Sequence, residues 1–177
     1  VLGPDFIDLS PAIVAGGDWG IRGFLAAYKA GTGERVWRDW TVPGQGDPGS
    51  ETWKGSAVTY GGGATWLTGS YDGETDTLYW ATGNPWPDYY GKDRRGDNLY
   101  SCSVVALDGD TGKLKWQFQL TTHDTHDWDA QCIQVRVDRE FLGQQRKLLL
   151  HPNRTGSVHG RDRGRGEVVN DRTFVER

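Results

Sequence analysis

The sequence predicts an all-β protein built from repeated sheet units, on three observations. Twenty-six of its 177 residues are Gly and long apolar runs are few, so short strands and turns fit better than helices. Only 36% of residues are hydrophobic, yet nine are Trp, so large rings must carry much of the burial. The third observation is a frame that occurs twice, AYKAGTGERVW at 27–37 and ALDGDTGKLKW at 106–116.

Each copy reads as a strand ending at Ala, a tight turn at Thr-Gly, and a second strand leading to a buried Trp. Gly supplies the backbone angles of the turn, and the Trp can pack between neighbouring sheets. The copies lie 79 residues apart, about twice a typical blade period, so one further blade is expected between them. The segment 71-YDGETDTLYWATG-83 fits a degenerate middle copy, and 159-HGRDRGRGEVV-169 is a weaker echo without Thr or Trp. Four-stranded units with one Trp each point to a β-propeller, against the competing reading of a sandwich with chance turn similarity. About three blades cannot close a ring, so residues 1–177 are expected to form one partial domain of a larger propeller. The stretch 43-PGQGDPGSE-51 reads as a loop between strands.

Net charge is −4 and unevenly spread. Residues 136–177 hold ten Lys/Arg against six Asp/Glu, and 160-GRDRGRG-166 is their densest stretch. No aromatic platform is interleaved with those arginines, so a solvated turn is favoured there over a nucleic-acid surface. Cys102 and Cys132 fit no zinc or CxxC spacing, which leaves a disulfide between them open. No stretch reaches transmembrane length and no signal peptide is seen; the chain lacks Met and begins Val1-Leu2, which reads as a fragment or a processed chain. Membrane association stays open, since these residues do not encode it.

The densest chemistry is 123-HDTHDWDA-130, with two His and three Asp in eight residues. A His-Asp metal site of the HD phosphohydrolase kind would want helices, but 116-WQFQLTT-122 and 132-CIQVRV-137 alternate like strands. Zinc would need further ligands, and His151 and His159 are the only other histidines. An acidic surface turn competes with both. In 61-GGGATW-66 the glycines permit close backbone approach and Trp66 offers a flat face or a core ring. Asn84, between Gly83 and Pro85, reads as an Asx turn.

The repeat frame resembles the tryptophan-docking motif of the quinoprotein alcohol dehydrogenases, eight-bladed propellers that bind pyrroloquinoline quinone (PQQ) and a metal ion. The resemblance extends in order through GGDWGIRG (16–23), GGGATW (61–66), TGNPWPD (82–88), RGDN (95–98), HDTHDWD (123–129) and HPNRTG (151–156). It implies that Trp66 is the floor under the quinone, that Gly16, Gly17 and Ala64 lie beside the cofactor, and that Arg154 touches it. Ala64 stands where the family often has Thr. Implied metal ligands are Asp18, Asn84, Asp127 and Asp129, with Asp18 where the family usually has Glu. Asp127 falls at the catalytic base, and Asp129 at a position that is Asp in the lanthanide-dependent relatives, so a lanthanide is expected over Ca²⁺.

The implied activity is oxidation of a primary alcohol to an aldehyde: Asp127 takes the hydroxyl proton, hydride passes to PQQ and electrons go on to cytochrome c in the periplasm. Asp124 and the two histidines are expected to shape the turn only. The family's vicinal disulfide cannot be formed by Cys102 or Cys132, and the fragment alone is expected to be inactive. A non-catalytic propeller scaffold, such as an outer-membrane assembly factor, is the alternative; it would have no reason to keep Trp66, Asn84, Asp127 and Arg154 together.

Overall fold

The computed structural model of the chain describes residues 22–59 and 61–176. Among them, ten strands form three antiparallel sheets: β1 (Phe24–Tyr28), β2 (Arg35–Trp40), β3 (Ser70–Asp72), β4 (Thr77–Ala81), β5 (Ser103–Asp108), β6 (Leu114–Gln119), β7 (Val135–Phe141), β8 (Gln144–Asn153), β9 (Ser157–Asp162) and β10 (Val168–Thr173). β1 and β2 form a two-stranded sheet, while β3–β6 and β7–β10 are four-stranded meanders in which every strand pairs with its chain neighbour. Two complete propeller units and one partial unit are therefore present among the described residues.

The period of two along β4 and β5 explains how the sheets stack. Leu78, Trp80, Val105 and Leu107 join Leu25, Ala27 and Trp37 of the first sheet in one buried cluster. The alternate residues Tyr79, Val104 and Ala106 face the other way, into a cluster with Leu149 of the third sheet. Both faces of the middle sheet are thus dry, and each is sealed by a tryptophan. The Trp37 indole N–H donates to the Gly109 carbonyl at 2.8 Å, with its ring over Gly112. Trp116 does the same one sheet further on, donating to the Arg163 carbonyl at 3.2 Å and lying over Gly166. Gly112 and Gly166 both have φ +72°, and a Cβ on either would stand within 2.7 Å of the ring. Only Gly satisfies both requirements.

This geometry corrects the expected spacing of the repeat. Trp37 docks directly onto the turn of the second copy, so the two copies occupy adjacent sheets and no blade lies between them. The segment 71–83 is not a middle blade; it supplies β3 and β4 of the second copy's own sheet. The extra length is two excursions: 41–69, which carries the expected Gly/Pro-rich loop and 3-10 turns at Ser50–Thr52 and Ala57–Thr59, and 82–102, which carries the 3-10 turn Lys92–Arg94. The weak echo at 159–169, without Thr or Trp, is the real next copy: its turn receives Trp116.

The basic stretch 160–166 is corrected in part: Gly164 and Arg165 at its turn are exposed as expected. Arg161 and Arg163 are buried rather than solvated. Arg161 pairs with Asp171 at 2.5 Å and lies over the Phe118 ring of the neighbouring sheet. Arg163 reaches Asp138 at 2.8 Å and pairs at 2.9 Å with Asp72, a buried carboxylate of the middle sheet that Arg136 also contacts at 3.2 Å. These arginines couple two sheets, and their charges are consumed in doing so. Both cysteines are free thiols, so the open question of a disulfide is answered in the negative.

Trp37→Ala in the whole protein should cost about 3 to 5 kcal/mol by emptying the seam between sheets. Trp37→Phe, which keeps an aromatic ring but leaves the Gly109 carbonyl without its donor, should cost about 1 kcal/mol. Urea midpoints of the two variants check the order, and equal midpoints would contradict the docking role.

Candidate functional site

Every candidate site residue among the described ones leaves from one end of the two four-stranded sheets. The pairs Ala81↔Val104 and Ser103↔Gln119 bring the end of β4, the start of β5 and the end of β6 to that edge. The pairs Val135↔Leu150 and Asn153↔Ser157 do the same for the start of β7 and the β8–β9 turn. Segments 61–67, 82–88, 120–134 and 153–156 therefore meet there.

The glycines of 61–63 allow their segment to cross its neighbour in contact. Gly63 N–H donates to the Asn84 carbonyl at 2.9 Å, and Trp86 N–H donates to the Gly61 carbonyl at 2.9 Å. A Cβ on Gly62 would lie 2.7 Å from the Asn84 carbonyl oxygen. Ala64, buried, accepts from Gly83 N–H at 2.8 Å and from the Gln131 side chain at 2.5 Å. Gln131 also accepts from Leu67 N–H at 3.4 Å, so it clasps the segment on both sides of Trp66. Trp66 itself is 41% exposed, whereas Trp37, Trp53 and Trp80 are buried. It is a partly exposed ring on a backbone segment held at both sides, not a core ring.

Asp129 is the junction of the site. Its Oδ1 accepts from Asn84 N–H at 2.8 Å and its Oδ2 accepts from Arg154 Nη1 at 3.2 Å. Gly83 leaves room for this, since a Cβ there would meet Asp129 Oδ1 at 2.8 Å. Burial pushes the Asp129 pKa up to about 6, and the like charge of Asp127 adds to the rise, against the Asn84 N–H and the Arg154 guanidinium. Asn84 is oriented by its amide nitrogen, which donates to the Asp88 carboxylate and, at 3.3 Å, to the Pro85 carbonyl. Its side-chain carbonyl is thereby the end left for a ligand.

HDTHDWDA is a locked turn. The Asp124 carboxylate, buried, accepts from His126 N–H at 2.9 Å and from Trp128 N–H at 2.7 Å, with the Cys102 thiol at 3.4 Å. Asp127 lies inside this clamp with φ +59°, a left-handed conformation that Asp tolerates better than most residues. His123 contacts the Gly96 carbonyl at 3.0 Å through Nδ1, and His126 is exposed beside Thr125. Asp124 and His123 thus shape the turn, as expected, while His126 faces solvent.

The structure therefore brings Asn84, Asp127, Asp129 and Arg154 together, with Ala64 and Trp66 on the adjoining segment. Gly16, Gly17 and Asp18 lie outside the described residues. Among the described residues no group of three His, Cys, Asp or Glu side chains converges on a metal site. A cation held here would take the Asn84 carbonyl and the carboxylates of Asp127 and Asp129. Such an all-oxygen donor set fits a hard ion such as Ca²⁺ or a lanthanide and does not fit zinc. Asp88, Gln131 and Arg94 were not singled out from the sequence. Asp88 stands four residues after Asn84 within TGNPWPD, a position that could have flagged it; Arg94 sits in a polar run that looks like surface.

Residues 15–173 match the PQQ family described as glucose/ethanol/alcohol dehydrogenase, beta-propeller domain. A quinohemoprotein alcohol dehydrogenase of Comamonas testosteroni is 38% identical, over 90% of this chain and 25% of its own length. A lanthanide-dependent methanol dehydrogenase of Methylorubrum extorquens is 34% identical, over 88% of this chain and 29% of its own. The solved quinohemoprotein alcohol dehydrogenase ADHIIG of Pseudomonas putida HK5 superposes with a TM-score of 0.84 at 33% identity, covering 90% of this chain and 25% of that one. The chain thus spans about a quarter of the length of these relatives. With its Trp-on-Gly docking, its propeller sheets and its matched residues, the chain belongs to the PQQ-dependent alcohol dehydrogenase β-propeller family.

Proposed function

We propose that these residues are the cofactor-facing part of a PQQ-dependent dehydrogenase that oxidises a primary alcohol to an aldehyde. The observation that carries this is the single network of Asn84, Asp129 and Arg154, set beside Asp127 on a turn that Asp124 clamps. A bound PQQ would supply the two-electron acceptor and a bound metal ion the Lewis acid, beside the partly exposed ring of Trp66.

Placement supports the following roles for the chain's own residues. Asp127 accepts the alcohol's hydroxyl proton, because the carbinol carbon gives up hydrogen and electrons readily only once its oxygen carries negative charge. Asn84 and Asp129 hold the cation with oxygen donors, and Asp129 stays tied to Arg154, a permanent cation that balances charge developing on the acceptor. Trp66 offers a flat ring its exposed surface. A cytochrome c as the next electron acceptor and a periplasmic setting complete the proposal. A second carboxylate beside Asp127 favours a trivalent ion, a reading that agrees with the lanthanide-dependent relative.

Asp127→Asn in the whole protein should lower kcat by at least about 100-fold, the scale of a lost general base, while PQQ stays bound by its absorbance. Turnover close to wild type would remove Asp127 from the role. Reconstitution with PQQ and either La³⁺ or Ca²⁺ should give the higher activity with La³⁺. Equal activities would count against a trivalent preference.

A further inference from the structure

The geometry points to Arg94 as a positioning residue that sets the spacing between the loop carrying Asn84 and the loop carrying Asp127 and Asp129. The inference rests on the dehydrogenase reading above.

Arg94 ends the 3-10 turn Lys92–Arg94 and is fully buried, although its neighbours in the run KDRRGD are polar. Its guanidinium reaches three places at once. Nε and Nη2 donate to the Pro87 carbonyl at 3.1 and 2.8 Å, and Nη2 also donates to the Asp88 carbonyl at 3.1 Å. The same Nη2 donates to the Asp124 carbonyl at 2.6 Å. Nη1 donates to Asn98 Oδ1 at 3.1 Å, and Asn98 returns a hydrogen bond from Nδ2 to the Arg94 carbonyl at 2.6 Å.

The two loops so joined are those that bear the site. Asp88 is the residue whose carboxylate fixes the amide of Asn84. Asp124 is the residue whose carboxylate clamps the turn at Asp127. One planar group thus anchors both orienting residues by their backbone, leaving their carboxylates free for the Asn84 and Asp127 turns. Two hydrogen bonds link the loops directly, Asn84 N–H to Asp129 at 2.8 Å and Ala130 N–H to the Thr82 carbonyl at 3.2 Å, and both lie at the Asn84–Asp129 end. Arg94, from the later part of the Asn84 connection, adds a rigid side-chain tie at the other end, between the 87–88 carbonyls and the Asp124 carbonyl. Lys could keep the charge but not the fork, since three donors on one nitrogen cannot span the Pro87 and Asp124 carbonyls and Asn98 together.

The test is Arg94→Lys in the whole protein, loaded with PQQ and titrated with La³⁺ and with Ca²⁺ by calorimetry. Loss of a partner that orients ligands should raise the half-saturating metal concentration by about 10-fold or more. It should also lower kcat with little change in the KM for alcohol. Arg163→Lys, at a buried arginine between sheets, serves as control: it should lower stability without moving the metal midpoint. A role confined to packing would make Arg94→Lys behave like the control, and that result overturns the proposal. If Arg94→Lys does not fold, Asn98→Gly decides. Asn98 has φ +62°, which Gly adopts freely, so the change loosens Arg94 without backbone strain and should shift the metal midpoint in the same direction. An unchanged midpoint in a folded Asn98→Gly protein overturns the proposal as well. Wild-type protein that takes up neither PQQ nor metal would overturn the dehydrogenase reading and this one with it; wild-type uptake with unaltered variants would overturn this one alone.

Discussion

The docking of an indole onto a glycine turn of the next sheet is the contact on which the remaining structure depends. It occurs twice in the same form, Trp37 on the 109–112 turn and Trp116 on the 163–166 turn. Each docking joins an apolar ring, an N–H that reaches a carbonyl, and a left-handed glycine with no side chain in the way. The contact links an outer strand to the following unit, so it fixes the order of the sheets and dries both faces of the middle one. The arginines of the third sheet strengthen the second seam by pairing across it with Asp72 and stacking on Phe118.

With the sheets stacked in this way, their strand ends present four segments at one edge, and the site is what these segments make by touching. Backbone crosses backbone where the glycines at 61–63 meet 84–86. Side chains then tie loop to loop: Gln131 to the Trp66 segment, Asp129 to Asn84 and Arg154, Arg94 to the 87–88 and 124 carbonyls. The order matters chemically. The turns that carry the proposed ligands are held by groups that do not face the cation, Asp88 on the Asn84 amide and Asp124 on the backbone around Asp127, so oxygen donors can be crowded without the loops moving apart. Asp129 shows the expense of that crowding, being buried and close to another carboxylate, and its raised pKa reflects both causes.

How far this was legible in the sequence varied with the kind of residue. Turn glycines and docking tryptophans were legible because their chemistry is local: a Gly can be required by one φ value and a Trp by one flat surface. Asn84, Asp127, Asp129 and Arg154 were singled out through family resemblance; the structure bonds Asn84 and Arg154 to Asp129, with Asp127 two residues earlier on the same turn. The acidic cluster could not be sorted by residue type alone. Asp124 and Asp127 are the same amino acid three positions apart, and only the backbone N–H groups of His126 and Trp128 show which carboxylate is the clamp. Arg163 reads as a surface charge because it sits in a polar run, and nothing in the run around Arg94 singles it out; the burial of both comes from partners at distant positions.

By itself the sequence determined the all-β class, the Thr-Gly turns, the strands that flank them and a repeated frame that ends in a packing Trp. These follow from nearest-neighbour stereochemistry and a period of two, which need no knowledge of the rest of the chain. Only the tertiary structure decided which copies are neighbours. A spacing of 79 residues suggested an intervening blade, but the excursions at 41–69 and 82–102 lengthen the chain without adding a sheet. Docking depends on distance in space, and a loop can add residues between two units without altering how they meet.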